Sequence, residues 1–543
     1  MKDLINKANK RIFICASGIL LGISVVFAEV GLLSYVALLP LALVLIMRID
    51  AGGYSPKKAY IDGFAFFMCY HLVTFHWFLY FYPLDFTGMS RPAAMGVVAL
   101  AWIGVPLIQS AFSALAFVGV AYFVRTEIYK KDIVTLAFFV SAAFVLNEWT
   151  QTLTWAGIPW SRIAISHVKM PILMQSASLF GSYFISFIVV LFNFLIAIAI
   201  LRRERSRGVA IAALTVMLCN ILCGAVLYAI PNADSDKTVE VASIQGNLPS
   251  QVDRGLFYEG VFEVYEKMTL EAAADGAELV FWPEGVYAQD IHGLITDSEG
   301  HIVGIDEAVS ELAVRCGATI VLGTVYIDEG DYYNSISVFY PNGGKDMGAY
   351  SKIRLVPFGE FLPFESLVNA IAPSLGMINT LPSSLTPGEK SEVFDSSVDG
   401  KKSLKVGTLT CFDSIYEELG ISSVKEGAQL FYIPSDDSWF YDSRALNMHH
   451  AQNILRAVEQ GRYTVSCGNT GITSIVDSKG NLLAEIPDNE EGYVRGTVLA
   501  SNNRTLYSYI GNLFVYLCIA FVVAVFAKQA FIYQKERKNK GYN

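Results

Sequence analysis

The chain has 543 residues, 53% hydrophobic and only 17% charged, with a formal net charge of −10 and a mean hydropathy of +0.42. That is too apolar for a protein bathed in water on every side, so part of it must lie in lipid. The acidic balance and the lack of a basic stripe on any folded segment exclude nucleic acid as a partner. Eight cysteines are scattered along the chain, at least half of them in apolar runs, with no C-x-x-C or His-paired spacing. They suggest neither a disulfide framework nor a metal site, and no cofactor is expected.

In chain order, apolar runs occupy Ile12 to Ala28, Gly31 to Met47, Tyr60 to Phe81, Pro92 to Val124, Ile133 to Asn147, Ile172 to Leu201 and Val209 to Ile230. Most reach the roughly 20 residues a bilayer-crossing helix requires. The character then changes: between Pro231 and Leu506 charges and Gly/Asn turns replace the apolar runs, and one last run follows from Tyr509 to Ala527. This divides the chain into a transmembrane region of about seven helices (1–230), a polar domain (231–506) and a final span with a basic tail (507–543). Lys and Arg cluster before the first run and after the second, fourth, sixth and last, which is every second loop. By the positive-inside rule both termini lie in the cytoplasm and the polar domain lies outside the cytoplasmic membrane. The run from Pro92 to Val124, with Gly104 and Pro106, is long enough to be broken or tilted. The first run has a basic flank but no clear small-x-small cleavage site, and reads as a retained helix.

Within the polar domain, "TVEVASIQGN", "AELVFWPEG", "ATIVLGTVYI", "SLKVGTLTC", "AQLFYIPSDD" and "YTVSCGNTG" have strand character. Helical patterns such as Phe257 to Ala274 and Arg444 to Gly461 alternate with several of them, predicting an α/β layer architecture. "GAELVFWPE" (276–284) and "GAQLFYIPS" (427–435) echo each other, as suits a fold with two similar halves.

Three polar residues interrupt apolar surroundings: Glu284 in "FWPEG", Lys352 in "AYSKIRLVPFGEFLP" and Cys411 in "TLTCFDS". Taken singly, each has an ordinary explanation as a cap, a solvated side chain or a small buried hydrophobe. Together they suffice for acyl chemistry. A thiol attacks, a carboxylate takes its proton, and an ammonium group stabilises the oxyanion. A helix beginning near Ser414 would favour the thiolate through its N-terminal dipole. His449 and His450, on a helical pattern, fit surface and core-edge positions better than a Cys/His hydrolase.

The order W-P-E, K…V-P-F-G-E-x-x-P, a strand ending in C-F-D, "PSDDSWF", "RAVEQGR" and "GNTGITSIVDSKG" resembles the nitrilase superfamily. Set behind about seven spans and before one more, the chain resembles the apolipoprotein N-acyltransferase family over essentially its whole length. The resemblance implies an αββα sandwich, with Glu284 as general base, Lys352 as oxyanion-stabilising cation and Cys411 as nucleophile. It further implies supporting roles for Glu360, for Phe412 and Asp413 after the nucleophile, and for Trp439. Asp413 departs from the family's usual Glu by one methylene. The implied reaction moves an acyl chain from a phospholipid, through a cysteine thioester, to the α-amino group of a lipoprotein's diacylglyceryl-cysteine, at the outer leaflet of the bilayer. The aromatic stretches His76 to Pro83 and Trp155 to Trp160 fall at outer ends of spans, where interfacial belts form. The apolar loop Phe361 to Ile378, beside Glu360, suggests a lid that touches lipid. Two rivals use the same features: a membrane-anchored amidase acting on a small amide, for which one span would serve, and a lipid-binding or transport protein, for which ionisable residues within the spans would be expected.

Overall fold

The structure, a computed structural model, describes residues 9–84, 89–231, 237–249, 260–364, 384–397 and 403–539. These form two compact units, one drawn from Met1–Leu79, Gly96–Ile230 and Tyr509–Asn543, the other from Tyr80–Met95 and Pro231–Ser508.

The first unit is helical. Among the described residues, five stretches are long and apolar enough to cross a bilayer: Ala28–Asp50, Arg91–Phe123, Ser182–Leu201, Ser206–Ala229 and Leu513–Arg537. Apolar helices Lys10–Val26, Pro56–Thr74 and Val134–Thr150 are 17, 19 and 17 residues long. Two expected runs are longer than their helices. Ile172 to Leu201 breaks at Gly181, whose φ of 79° is left-handed, and its long helix starts only at Ser182. Tyr60 to Phe81 changes at Thr74 into the 3-10 turn His76–Phe81. Conversely, Pro106 sits inside Arg91–Ser113 without ending it, and the next helix, Leu115–Phe123, follows directly. Arg91–Phe123 is thus a single 33-residue stretch long and apolar enough to cross a bilayer. Phe66, Phe67, Phe117 and Phe144 interlock with ring centroids 5.0 to 6.5 Å apart, joining three helices by offset and edge-on contacts favoured between aromatic rings.

The second unit is a four-layer α-β-β-α sandwich. Its first sheet runs Gly492–Leu499, Thr238–Gln245, Leu279–Phe281, Thr319–Asp328, Asp331–Phe339, Lys345–Ser351, with the short strand Tyr287–Asp290 also on Thr319–Asp328. The second runs Leu482–Ile486, Thr473–Val476, Thr464–Gly468, Leu430–Ser435, Lys405–Thr408, Val393–Asp395. Each has three parallel strands at its heart: 238–245, 279–281 and 319–328 in one, 405–408, 430–435 and 464–468 in the other. Most residues of these strands are buried, as expected where both faces of a sheet are covered. Between the sheets, Val241, Leu279, Phe281, Val321 and Ile336 meet Val406, Leu430, Tyr432, Val465 and Ile475. The outer face of the first sheet packs under helices Val261–Ala274 and Ile305–Cys316. Helices Glu417–Lys425 and Ala445–Gln460 accompany the second sheet.

The two echoing segments occupy matching places. Each is the middle parallel strand of its sheet, and they face each other: the Phe281 and Tyr432 rings stack at 4.5 Å, and the Tyr432 hydroxyl donates to the Trp282 carbonyl.

Candidate functional site

In sheets with parallel strands, chemistry gathers where the strands end at their carboxyl termini. Both sheets of the sandwich follow this rule, and their ends meet. Leu279–Phe281 delivers Glu284, Lys405–Thr408 delivers Cys411, Leu430–Ser435 delivers Asp436 and Asp437, and the antiparallel strand Lys345–Ser351 delivers Lys352.

Glu284 is 7% exposed and Lys352 1%, so their charges must be paired. Lys352 Nζ donates to Glu284 Oε1 and Glu360 Oε1, both at 2.9 Å. Asn334 Nδ2 forks between the same two oxygens at 2.7 and 2.8 Å, and the Asn334 carbonyl accepts the Lys352 N–H at 2.8 Å. The remaining carboxylate oxygens are taken by backbone: Asp436 N–H donates to Glu284 Oε2 at 2.9 Å, and Val356 N–H to Glu360 Oε2 at 2.8 Å. A Cβ at Gly323 would stand 2.7 Å from the Glu284 Cα, so only glycine lets the neighbouring strand approach this closely. Burial raises the Glu284 carboxyl's proton affinity, but the Lys352 charge and the hydrogen bonds outweigh it and hold the pKa below the ordinary value. Burial likewise disfavours the Lys352 ammonium, and Glu284 with Glu360 more than compensates, holding its pKa well up. At rest the cluster is two carboxylates around one ammonium.

Cys411 is part-exposed and left-handed, with φ 48°, a conformation that side chains other than glycine's adopt at a cost on the order of 1 kcal/mol and that clusters at working sites. It opens a five-residue 3-10 turn, Cys411–Ile415; the α-helix starts only at Glu417. The expected helix N-terminus at Ser414 is therefore absent, and with it the resting thiolate. Burial, and then the negative charge of Glu284, push the thiol well above its ordinary range, with Lys352 opposing them.

Asp413 is fully buried. It accepts from the Tyr350 hydroxyl at 2.5 Å and from the Arg354 N–H at 2.7 Å, so it ties the nucleophile turn to the loop carrying Lys352. Burial lifts its pKa to about 7, against the pull of Tyr350 and Lys352. Phe412, 8% exposed, lies edge-on to Tyr416 at 5.4 Å. Trp439 is half-buried on the 3-10 turn Asp437–Phe440.

The structure brings Glu284, Lys352, Glu360 and the Asn334 fork together, with the Cys411 thiol close enough to feel all three charges. Asn334 is absent from the expectations: it lies inside the strand "DYYNSISVF", where Asp331, Ser335 and Ser337 are polar as well and nothing singles it out. His449 corrects an expectation. It is buried, not at a surface or core edge, and its Nδ1 faces Asp437 Oδ1 at 2.9 Å. His450 is buried too, against Ser474 Oγ at 2.7 Å. Most of the expected lid, residues 365–378, lies outside the described residues; of its start, Leu362 is buried and Phe364 exposed.

Two family models match the chain: the apolipoprotein N-acyltransferase N-terminal domain over residues 17–195 and carbon-nitrogen hydrolase over residues 240–505. The chain is 28% identical over 533 residues to the apolipoprotein N-acyltransferase of Geobacter metallireducens, covering 94% of this chain and 93% of that one. It is 26% identical over 515 residues to that of Thermotoga maritima, covering 94% and 92%. Among solved structures, a CN-hydrolase superfamily protein of Xanthomonas campestris aligns with 48% of this chain and 91% of its own at 15% identity, TM-score 0.35. With an N-terminal region of apolar helices matched by one model and a catalytic sandwich matched by the other, the chain belongs to the apolipoprotein N-acyltransferase family, within the nitrilase superfamily.

Proposed function

We propose that this membrane enzyme transfers an acyl chain from a phospholipid to the free α-amino group of the diacylglyceryl-cysteine that begins a lipoprotein. The observation that carries the reading is the buried Glu284–Lys352–Glu360 cluster at the strand ends beside Cys411. In the first half-reaction Glu284 takes the Sγ proton as sulfur attacks the ester carbonyl, and Lys352 faces the oxyanion. The intermediate expels the lysophospholipid alkoxide, which takes the proton back from Glu284, leaving a thioester on Cys411. The lipoprotein amine then attacks the thioester and gives its proton to Glu284. Sulfur leaves as thiolate and is reprotonated. Because the resting thiol is held neutral and Glu284 ionised, the proton moves only when an acyl carbon is present to receive the sulfur. The supporting acid is Glu360, holding Lys352, while Phe412, Asp413 and Trp439 shape the turns around the thiol.

The polar domain of residues 231–506 is the catalytic part, and it faces the outside of the cytoplasmic membrane with both termini inside. The alternation of basic loops supports this sidedness. A thiol introduced at Asn342 is then labelled from outside, and one at Ser206 is not; labelling of Ser206 overturns the arrangement. The chemistry is tested by incubating the protein with phospholipid alone. The expected product is heavier by one acyl group on Cys411, released by neutral hydroxylamine or by a diacylated lipopeptide with a free amino terminus. An amidase of small amides would form no such adduct, and its absence would discard the transferase reading.

A further inference from the structure

His449 lies on helix Ala445–Gln460. Its ring is 1% exposed. Nδ1 faces both oxygens of Asp437, at 2.9 and 3.2 Å. Nε2 faces the main-chain carbonyl oxygen of Cys411 at 3.1 Å and the Ser414 hydroxyl at 3.1 Å. A carboxylate and a carbonyl can only accept, so both ring nitrogens must carry hydrogen for these contacts to be bonds. The ring that satisfies this geometry is the imidazolium.

Asp437 is built to hold it. The carboxylate is 4% exposed and also accepts from Ser435 Oγ at 3.0 Å. A Cβ at Gly471 would stand 2.5 Å from Asp437 Oδ2, so the second glycine of "GNTG" is what leaves room for the acid. The sulfur of Cys411, a carboxylate oxygen of Asp437 and a nitrogen of His449 lie within 4.8 Å of one another, the composition of a zinc site. Both imidazole nitrogens, however, are already turned to oxygens, which leaves no lone pair aimed at a metal.

We propose that His449, as an imidazolium anchored by Asp437, is a positioning residue that grips the Cys411 carbonyl and fixes the left-handed corner from which the thiol attacks. It does not touch the acyl group. It holds the backbone of the residue that does, in a conformation that cysteine would otherwise leave, and it adds a positive charge beneath the developing negative one. The charge is sustained by its surroundings: burial works against it, and Asp437, the Cys411 carbonyl and then Glu284 outweigh burial and raise the ring's pKa above the ordinary histidine value. The groups facing the ring are Asp437 from its own 3-10 turn, Cys411 and Ser414 from the nucleophile turn and, across the site, Glu284 with its partner Lys352.

The inference rests on Cys411 being the nucleophile, and the test separates the two ideas. Loading of the full-length protein is followed by intact mass on vesicles of phosphatidylethanolamine and phosphatidylglycerol. If the wild type never gains an acyl group on Cys411, the proposed function falls and this inference with it. Given wild-type loading, His449→Gln should lower the loading kcat on the order of 100-fold, the scale of a misplaced reacting group, with KM for phospholipid unchanged. Asp437→Asn keeps the ring but removes its anchor, so the proton is lost at lower pH. The ratio of Asp437→Asn to wild-type loading should then climb as pH falls from about 8 to about 5.5, while the His449→Gln ratio stays flat; taking ratios cancels the titration of other groups. Wild-type loading by His449→Gln, or a flat ratio for Asp437→Asn, overturns the proposal. Should His449→Gln fail to fold, the pH dependence of the Asp437→Asn ratio decides alone.

Discussion

The two halves of the sandwich start from nine-residue segments that share Gly, Ala, Leu and Pro, and they end differently. "GAELVFWPE" and "GAQLFYIPS" each contain the middle parallel strand of a sheet and each carry proline in the next-to-last position. Beyond the proline they diverge. The first half supplies Glu284 and, from neighbouring elements, Asn334, Lys352 and Glu360: a proton acceptor, a cation and their fastenings. The second supplies Cys411, Asp437 and His449: in the proposed reaction, the nucleophile and what holds its backbone. Two bonds join the halves here, from the Tyr432 hydroxyl to the Trp282 carbonyl and from the Asp436 N–H to Glu284 Oε2. Proton handling and bond making are thus built on separate sheets, and the two can be damaged separately.

The largest effects should come from breaking each half at its centre. Cys411→Ala should abolish acyl loading outright, and Cys411→Ser nearly so, because a carboxylate of lowered pKa is a poor base for a hydroxyl. Loading on Cys467 or Cys316 in these variants, seen by peptide mass mapping, would reassign the nucleophile. Glu284→Gln should leave the thiol intact and alkylatable but unable to load. Lys352→Met should cost 10²- to 10³-fold, about 3–4 kcal/mol, as deleting one oxyanion donor does; single-turnover kinetics with phospholipid read this directly.

A smaller effect probes the seam between the halves. Asp413 belongs to the nucleophile turn but bonds Tyr350 and the backbone beside Lys352. With its folded pKa raised to about 7, it stabilises the fold most below its unfolded value near 4, and that contribution is lost as pH rises through about 7, by up to about 1.4 kcal/mol per pH unit. Asp413→Asn does not titrate, so its Tm relative to wild type should rise between about pH 4 and pH 7 and then level off; a difference independent of pH would contradict the burial of an uncharged acid here. The smallest effect should be that of Tyr432→Phe, which keeps the ring stacked on Phe281 but drops the hydroxyl bond to Trp282. About 1 kcal/mol of stability should be lost, visible as a lower Tm with kcat unchanged.

Much of this arrangement was legible in the sequence. Layer architecture follows from strand and helix alternation, and Glu284, Lys352, Cys411 and Glu360 sit in loops whose Pro, Gly and aromatic residues mark them. What escaped the sequence lies inside regular elements. Asn334 is one polar residue on a strand, where side chains alternate faces and any polar one passes for solvent-facing. His449 sits on a helix whose pattern fits core or surface alike, and its partners arrive from 12 and 38 residues away. The helix expected near Ser414 begins at Glu417, after the 3-10 turn that the left-handed Cys411 opens.

The trio of Glu284, Lys352 and Glu360 has an electrical consequence. Two carboxylates and one ammonium sum to a single negative charge, and the Asp437–His449 pair sums to none. When the thiol proton reaches Glu284 the trio becomes neutral and the negative charge reappears on sulfur, then on the oxyanion, a few ångströms away. The total over the site stays constant through every step. In the proposed reaction, a site of fixed total charge needs no ion to enter or leave and little rearrangement of surrounding dipoles.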